Sequence, residues 1–380
     1  MALKYNSPRI KVLNKQNILK LIHDSHPISR AEISEITDLT PSSVTRLTKE
    51  LINDGYIREK GSIGKNSPGR RRTLLDLNEN AFVSLVFDLG VNVTTFGLGY
   101  FNGRVVLGGS FETPKQHKDF FAKAKDIYTK LKKEHKITRI SFSIPGMVNM
   151  TENRILLAPN LHWQDISINN LLDVDVPILA DNEANLSMMA EKYHSKDLKK
   201  IKEAVFIVIR EGVGTGILLD GKIYRGPSFT AGEAGHMTVD IRSHEKCHCS
   251  NEGCWERVAS INWAVENYQE KLEGRNAIER FASLKKKKDN RKIFEEFARN
   301  IAVGIINIVN VMNPQLIILG GEVQDLGEYF FNSIETEVKK RALRDATKKL
   351  KIRPTVFETV SSNLVGAAVL AIEDIIEKVR

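Results

Sequence analysis

Three polar residues stand together where a strand is predicted to turn into a helix: Asp181, Asn182 and Glu183, in the stretch LADNEANLSMM. They follow the apolar run VPI and lead into EANLSMMAEKY, whose pattern indicates a helix. Acidic side chains at such a turn can cap the helix, bind the hydroxyls of a sugar, or act as the general base of an enzyme. These residues by themselves leave the three alternatives open.

A second group of reactive side chains lies in GEAGHMTVDIRSHEKCHCSNEGCWE. Cys247, Cys249 and Cys254 fall within eight residues, and His236 stands eleven residues before the first of them. Three thiols and one imidazole complete a tetrahedral Zn²⁺ site with no open position. The spacing therefore predicts a structural zinc ion that orders this loop. Two further histidines crowd the same turn and are rival fourth ligands: His244 and His248.

Gly-rich turns follow predicted strands at three places, in DLGVN, GVGTG and LGGEV. Backbone N–H groups in such turns can close around a phosphate because no side chain obstructs them. Any tight turn also favours glycine, so each turn alone is weak evidence for a nucleotide such as ATP with Mg²⁺. The candidate nucleotide-binding residues are Asp88, Gly90, Gly214, Gly216, Gly320 and Gly321.

The elements that position these groups begin after an N-terminal module, residues 1–78, which has the pattern of a winged helix-turn-helix. Ser29 with Glu32 forms a capping-box sequence, and Thr40 precedes Pro41 at the start of a third helix. Apolar positions on that helix place a set of small hydroxyls and cations on the outer face, near the end that enters a major groove. The predicted DNA-contacting residues are Ser42, Ser43, Thr45, Arg46 and Lys49.

The stretch YIREKGSIGKNSPGRRRTLLDLN indicates two strands joined by a Gly/Ser/Pro-rich tip, which is a wing. Arg70, Arg71 and Arg72 behind the tip could reach phosphates or a minor groove. Residues 1–80 carry 14 Lys and Arg against 9 Asp and Glu, whereas the whole chain of 380 residues has a net charge of +9. Three packed helices alone could belong to any small domain. The wing and the local charge favour double-stranded DNA as the partner.

After residue 80 strands and helices alternate, and two stretches begin alike, with an apolar strand, a Gly-rich turn, a strand and a tight turn. This repetition predicts a duplicated α/β fold with a cleft between two lobes. We expect the first lobe over residues 79–190 plus 361–380, and the second over residues 191–360.

Targeting signals and membrane spans are not evident in the sequence. The N-terminus has no apolar signal segment, and no run approaches the roughly 18 apolar residues of a membrane span. Three clustered cysteines do not resemble a secreted disulfide framework. We expect a cytoplasmic protein.

These motifs together resemble the ROK family, which joins bacterial sugar-responsive repressors to sugar kinases of the actin-like ATPase fold. SIPGMV, APNLHW, DNEANLSMMAEK, GVGTGILLDGKIYRG, AGEAGH and CHCSNEGCWE occur in the family's order and spacing, over essentially the whole chain. The winged helix-turn-helix is typical of the repressor branch, similar to xylose- and N-acetylglucosamine-type repressors. The resemblance implies that sugar hydroxyls are bound by Asn160, Asn182, Glu183, Glu233, His236 and Glu256. It also implies that His236 touches sugar with one ring nitrogen and zinc with the other.

The resemblance to the ROK family also concerns the role of Asp181, Asn182 and Glu183. In ROK kinases the corresponding segment resembles Glu-Asn-Asp, and its Asp takes the proton of the attacking sugar hydroxyl. In this chain Glu183 occupies that catalytic position with a carboxylate one methylene further out. A displacement of about 1 Å can cost a catalytic group on the order of 100-fold in rate.

The turn expected to bind phosphate also differs from the kinase pattern in a way that disfavours catalysis. The kinase turn resembles Asp-x-Gly-Gly-Thr, whereas this chain has Val91 and Asn92 at the last two positions. Val91 adds a branched side chain where backbone should approach phosphate, and Asn92 lacks the hydroxyl. We therefore expect Glu183 to bind the hydroxyls of a sugar rather than to act as a general base.

Two functions follow as hypotheses. The favoured one is a sugar-responsive transcriptional regulator, a homodimer or tetramer that binds a roughly palindromic operator. The alternative is an ATP-dependent sugar kinase of the hexose or N-acetylhexosamine type that carries a DNA-binding domain. A weaker third hypothesis is a kinase-derived scaffold that binds neither ligand.

Overall fold

The computed structural model describes residues 7–63 and 72–380 of the chain. Its N-terminal unit is a three-helix domain with a small antiparallel sheet. Its strands are ordered β1-β3-β2. The elements of this unit are α1 (Ser7–Ser25), β1 (Ile28–Ser29), α2 (Arg30–Thr37), α3 (Pro41–Asn53), β2 (Ile57–Ile63) and β3 (Arg72–Leu77).

The predicted helix starts are present in this unit. The Ser29 hydroxyl accepts from the backbone N–H of Glu32, whose carboxylate accepts from the N–H of Ser29 at 2.9 Å, which is a capping box. Thr40 caps α3 by accepting from the N–H of Ser43, and Pro41 is the first helical residue. Both caps satisfy backbone donors that the first turn of a helix leaves unpaired.

The two predicted strands of the wing are present, and β2 pairs antiparallel with β3. The predicted tip, with Arg70 and Arg71, lies outside the described residues. Arg72 begins β3 opposite Ile63, and only its backbone is described.

The first lobe is built on a five-stranded sheet of order β11-β7-β4-β5-β6. A small sheet, β10-β9-β8, is inserted between β7 and β11. The elements are β4 (Val83–Asp88), β5 (Val93–Tyr100), β6 (Val105–Glu112), α4 (His117–Leu131), β7 (Ile137–Ile144), β8 (Met147–Asn149), β9 (Arg154–Ala158), β10 (Trp163–Ser167), α5 (Ile168–Leu171), β11 (Ile178–Asn182) and α6 (Glu183–His194).

The second lobe repeats this plan with a sheet of order β14-β13-β12-β15-β16. Its elements are β12 (Ala204–Ile209), β13 (Val213–Leu219), β14 (Lys222–Tyr224), α7 (Glu256–Ala259), α8 (Ile261–Glu266), α9 (Ala277–Lys285), α10 (Arg291–Met312), β15 (Leu316–Gly321), α11 (Gly327–Arg341), α12 (Arg344–Thr347) and β16 (Lys351–Pro354). In both lobes the first strand pairs antiparallel on one side and parallel on the other. The predicted duplicated α/β fold is therefore confirmed.

The last helix, α13 (Ser362–Glu377), lies beside α6 and against the first sheet. Two glycines let other backbones approach α6 closely. A Cβ on Gly366 of α13 would lie 2.0 Å from the carbonyl oxygen of Leu186, and one on Gly216 of β13 would lie 2.1 Å from that of Ala184. Helix α6 is thus held between the closing helix of the first lobe and the sheet of the second.

The N-terminal unit docks on the end of α13. Ile372 and Ile376 of α13 belong to the same buried cluster as Ile18 and Ile22 of α1. The side chain of Gln16 donates to the carbonyl oxygen of Glu377 at 2.7 Å. The helix-turn-helix therefore shares its hydrophobic core with the body of the protein.

The close approach at Gly216 predicts a large effect from one methyl group. Gly216→Ala should lower the free energy of unfolding by about 1–3 kcal/mol, because the new Cβ overlaps backbone that cannot move aside. Gly214→Ala is the matched control, since its Cβ would lie an ordinary 3.5 Å from the Cβ of Ala184. Urea denaturation of both variants measures the difference. Equal stabilities would contradict the packing described here.

Candidate functional site

The three polar residues at the start of α6 have three different roles. Asn182 is the N-cap, and its side-chain oxygen accepts from the N–H groups of Ala184 and Asn185 at 2.8 and 3.3 Å. Asp181 is buried and accepts from Arg225 at 2.9 and 2.5 Å. Glu183 alone of the three carries an acidic side chain into the cleft between the lobes. The turn therefore combines a cap, an ion pair and one cleft carboxylate.

The cleft contains a cavity of about 60 Å³. Every residue expected to bind sugar lines it: Asn160, Asn182, Glu183, Glu233, His236 and Glu256. The side-chain NH₂ of Asn182 also donates to the carbonyl oxygen of Gly146 at 2.9 Å, so this amide is already partly engaged. The tertiary fold brings together residues that are up to 96 positions apart in the chain.

Arg210, which the sequence analysis did not single out, lies between the acidic groups of the cleft. Its guanidinium is 3.4 Å from a carboxylate oxygen of Asp88 and 3.4 Å from one of Glu183. Asn363 donates to the same two carboxylates at 3.2 and 3.4 Å. The only local signal for Arg210 is its place directly after the apolar run AVFIVI, where a cation is unusual at a strand end that leads into a Gly-rich turn.

Burial dominates the electrostatics of the cleft. It raises the pKa of Glu183 to about 7, although Arg210 opposes the shift; the neighbouring Asp88 adds to it. Burial, with a smaller contribution from Glu256, also raises the pKa of Glu233 to about 7. Near pH 7 each of these carboxyls is therefore partly protonated and can either accept or donate a hydrogen bond.

The glycines predicted to bind nucleotide are arranged differently from the expectation. Gly214 and Gly216 lie within β13, paired with Val208 and Phe206 of β12, and not in a turn. The predicted turn at these two glycines was therefore wrong, while their role in nucleotide binding stays a prediction. The close approach of α6 requires the glycine at position 216. Gly320 and Gly321 end β15, where a Cβ on Gly320 would overlap the ring of Phe206.

The remaining nucleotide candidates, Asp88 and Gly90, lie at the end of β4 and in the turn that follows. Asp88 is buried and accepts from Ser361 at 3.0 Å, besides its contacts with Arg210 and Asn363. A Cβ on Gly90 would lie 2.3 Å from the carbonyl oxygen of Val93, so the turn itself requires this glycine. Both residues are thus engaged within the protein.

The cysteine loop brings four candidate ligands together. One ligand atom from each of His236, Cys247, Cys249 and Cys254 lies within 4.8 Å of the others. The sulfur atoms of Cys249 and Cys254 are 3.6 Å apart, and Nδ1 of His236 is 3.5 Å from the sulfur of Cys247. Metal–sulfur bonds of about 2.3 Å in a tetrahedron require edges of this size. The donor set and its spacing therefore fit a bound metal ion.

His236 and Glu256 connect this cluster to the cavity. Nδ1 of His236 faces Cys247, while its Nε2 lies 3.8 Å from a carboxylate oxygen of Glu233. Glu256, which lines the cavity, accepts from the thiol of Cys247 at 2.7 Å. The rival ligand His244 lies almost fully exposed, 3.6 Å from Glu252.

The two tryptophans of the site motifs are used in packing. Trp163 is 2% exposed and Trp255 is fully buried. The ring nitrogens donate to the carbonyl oxygens of Lys115 and Asn300, respectively. Both indole rings therefore serve core packing.

The outer face of α3 presents most of the predicted DNA-contacting groups to solvent. Ser42, Thr45, Arg46 and Lys49 are exposed, and Ser43 is half-buried beside Thr40. Within the described part of the chain, Arg46 and Lys49 make no hydrogen bond or ion pair. Two unpaired cations on an exposed recognition helix suit contact with phosphates or base edges.

The fold and the site together define the class of protein. It has a winged helix-turn-helix DNA-binding domain joined to a two-lobed fold of the actin-like sugar-kinase type. The family model "ROK family" matches residues 85–374, and the model "Winged helix-turn-helix DNA-binding" matches residues 13–58. The chain belongs to the ROK family. Among the described helices, none has the length and apolarity needed to cross a membrane.

The proteins similar to this chain include both transcriptional regulators and sugar kinases of the family. A protein of Caldicellulosiruptor bescii named xylose repressor is 29% identical, with 94% of this chain and 96% of that one covered. A solved structure described as a ROK family transcriptional regulator, homolog of E. coli MLC protein, superposes with a TM-score of 0.79 at 24% identity over 97% and 98% of the two chains. A ROK family glucokinase from Streptomyces griseus in complex with glucose and AMPPNP has a TM-score of 0.66 at 21% identity over 76% and 98%.

Proposed function

We propose that this chain is a transcriptional regulator that binds a sugar in its cleft and operator DNA through α3 and the wing. The observation that carries the proposal is the shared core between the DNA-binding unit and α13, the helix that packs on α6 beside the cleft. A ligand that prefers one arrangement of the lobes can then shift the position of the DNA-binding unit. Two such units in a homodimer or tetramer would meet the two halves of a palindromic operator.

The cavity chemistry supports a sugar as the ligand. Glu183, Glu233 and Glu256 can accept hydrogen bonds from hydroxyls, and the amide of Asn160 offers both donor and acceptor atoms. Several fixed polar groups around a small cavity are what recognition of a polyhydroxy compound needs. The xylose repressor named above has a sugar in its name, and a sugar effector for this chain agrees with that similarity.

Arg210 supports a regulator over a kinase. Its guanidinium reaches Asp88 and Glu183, the carboxylates that a kinase would need for phosphate-bound Mg²⁺ and for proton removal. Arg210 also lines both the 60 Å³ cavity and a second cavity of about 230 Å³ beside Gly321 and Glu322. A cation at this boundary competes with Mg²⁺ and separates a bound sugar from the place where a nucleotide would lie.

This arrangement predicts that the protein binds a sugar without phosphorylating it. Steady-state assays with ATP, Mg²⁺ and a panel of pentoses, hexoses and N-acetylhexosamines should show no turnover. Arg210→Gly should not restore the reaction, because Val91 and Asn92 still replace the phosphate-binding residues of the turn. A kcat of roughly 1–1,000 s⁻¹ for the wild-type protein would make the chain a sugar kinase.

We propose further that the metal of the cysteine cluster is structural Zn²⁺. Three thiolates and an imidazole leave no open coordination position, so the ion would order the loop without taking part in a reaction. Metal binding removes the thiol proton that Cys247 donates to Glu256. The carboxylate of Glu256 is then free to accept from a ligand hydroxyl, which couples the metal to the sugar.

The cluster predicts about one Zn²⁺ per chain and distinguishes between its two nearest histidines. His236→Ala should weaken zinc binding and lower the affinity for sugar, because this ring lies between the cluster and the cavity. His248→Ala is the matched control, since His248 stands between two of the cysteines but is not part of the cluster. Competition with a chromophoric chelator measures zinc affinity. A greater loss in His248→Ala than in His236→Ala would overturn the ligand assignment.

The central test of the proposed function measures DNA binding in the presence and absence of each sugar. Duplexes selected from a random pool by the purified protein should share a roughly palindromic sequence, and one sugar of the panel should change their binding at least several-fold. Arg46→Ala with Lys49→Ala should weaken binding and reduce its salt dependence, because fewer counterions are released.

Lys339 gives a control for the loss of a positive charge. It is an exposed lysine on α11 of the second lobe that already forms an ion pair with Glu335 at 2.5 Å, so Lys339→Ala should leave DNA affinity nearly unchanged. Failure to select any duplex, or binding that no sugar alters, would contradict the proposed function.

A further inference from the structure

A larger cavity lies away from the cleft, where the DNA-binding unit meets the body. Its volume is about 470 Å³, within the range of small-molecule sites. Side chains of α1, α6, α13 and the segment after α6 form its walls. Residues of the proposed sugar site do not line it, so the two cavities are separate among the described residues.

Two buried polar atoms at this cavity have no partner. His23 is 3% exposed, and its Nε2 makes no hydrogen bond in the described structure. The hydroxyl of Tyr193 is also buried and unpaired, and the two rings stack with centroids 4.1 Å apart. Buried polar atoms normally find a partner because an unpaired one destabilises the fold. The two unpaired atoms therefore mark an incompletely satisfied part of the wall of the cavity.

The charged lining contains four cations. Lys20, Lys192 and Lys199 form no ion pair or hydrogen bond within the described residues, and Lys202 lies 3.6 Å from Asp220. The lining carboxylates are fewer: Asp24, Glu373 and Glu377. Lys20 and Lys192 also act electrostatically on Glu373, whereas Lys199 has no such carboxylate among the described residues, and the excess of lysines over carboxylates in the lining favours an anion.

The remaining carboxylates and the apolar lining narrow the chemistry of the ligand. Glu373 is half-buried and has no hydrogen-bonded donor within the described residues. Burial raises its pKa, although the charges of Lys20 and Lys192 oppose the shift, so Glu373 suits a hydroxyl group of the ligand. Asp24 is engaged with Nδ1 of His23 at 3.2 Å. Apolar side chains such as Met189 and Ile201 would contact a carbon skeleton. An anionic group, a hydroxyl and a short carbon chain are together the features of a phosphorylated small metabolite.

We propose that this junction cavity is a second effector site, which binds a small phosphate monoester with its phosphate toward the lysines. The site goes beyond the proposed sugar cleft and does not depend on it. Because α1 belongs to the DNA-binding unit, a ligand here would stabilise the docked position of that unit.

Binding can be measured directly with defined probes. Thermal shift and calorimetry with a panel of sugar phosphates, glycerol phosphate and inorganic phosphate should identify at least one phosphate monoester that raises Tm. Sulfate at the same ionic strength should have little effect. Lys192→Ala and Lys199→Ala should each weaken binding by about tenfold or more, the usual scale for losing a charged hydrogen bond.

Neighbouring lysines serve as matched controls. Lys196 and Lys200 are exposed and do not line the cavity, so Lys196→Ala and Lys200→Ala should change the affinity less than about twofold. Glu233→Gln alters the cleft alone and should leave phosphate-monoester binding intact. Absence of binding by every probe would overturn the second site, as would equal losses in the lining and control lysines. Binding that survives both lining variants but is lost in Glu233→Gln would place the ligand in the cleft.

Discussion

The rest of the molecule depends on the tight packing of α6 between two backbones. Gly216 of β13 and Gly366 of α13 approach its carbonyl groups so closely that neither position has room for a Cβ. The helix is further anchored by the fully buried Glu191, which pairs with Arg353 at 3.0 Å and accepts from Thr355 at 2.6 Å. An element held in this way transmits a displacement as a rigid body, since close-packed interiors do not deform gradually.

The ends of α6 connect the two proposed ligand sites. Glu183 in its first turn faces the sugar cleft, and Tyr193 near its last turn lies against His23 of the DNA-binding unit. Twelve helical residues span about 18 Å, which is short enough for one rigid helix to serve both sites. If both ligands bias the same position of α6, each must change the affinity for the other by the same factor.

The charge distribution of the cleft supports the proposal that this chain uses a kinase-type fold to sense a sugar. In the same fold a kinase must hold phosphate and Mg²⁺ beside the sugar, whereas here Arg210 contacts the acidic groups that would do so. The polar residues that would meet a sugar still surround the cavity. Under the proposed function such a change would affect catalysis more than sugar recognition, because phosphate binding needs an open backbone turn and free carboxylates, while sugar recognition needs only fixed donors and acceptors.

Local features were predictable from the sequence alone. The capping box at Ser29, the cap at Thr40, the cysteine cluster with His236 and the repeated strand pattern depend on neighbours within a few turns of chain, or on ligand chemistry that spacing reveals. The six cleft residues were also named in advance, through the resemblance to a family. Only the tertiary structure decided the roles of Gly216 and Arg210 and created the junction cavity. The partners of Arg210 lie 122 and 27 residues away in sequence, and no local pattern specifies contacts of that kind. Gly216 has the same explanation, because the helix that requires it belongs to another part of the chain and meets it only when the lobes pack.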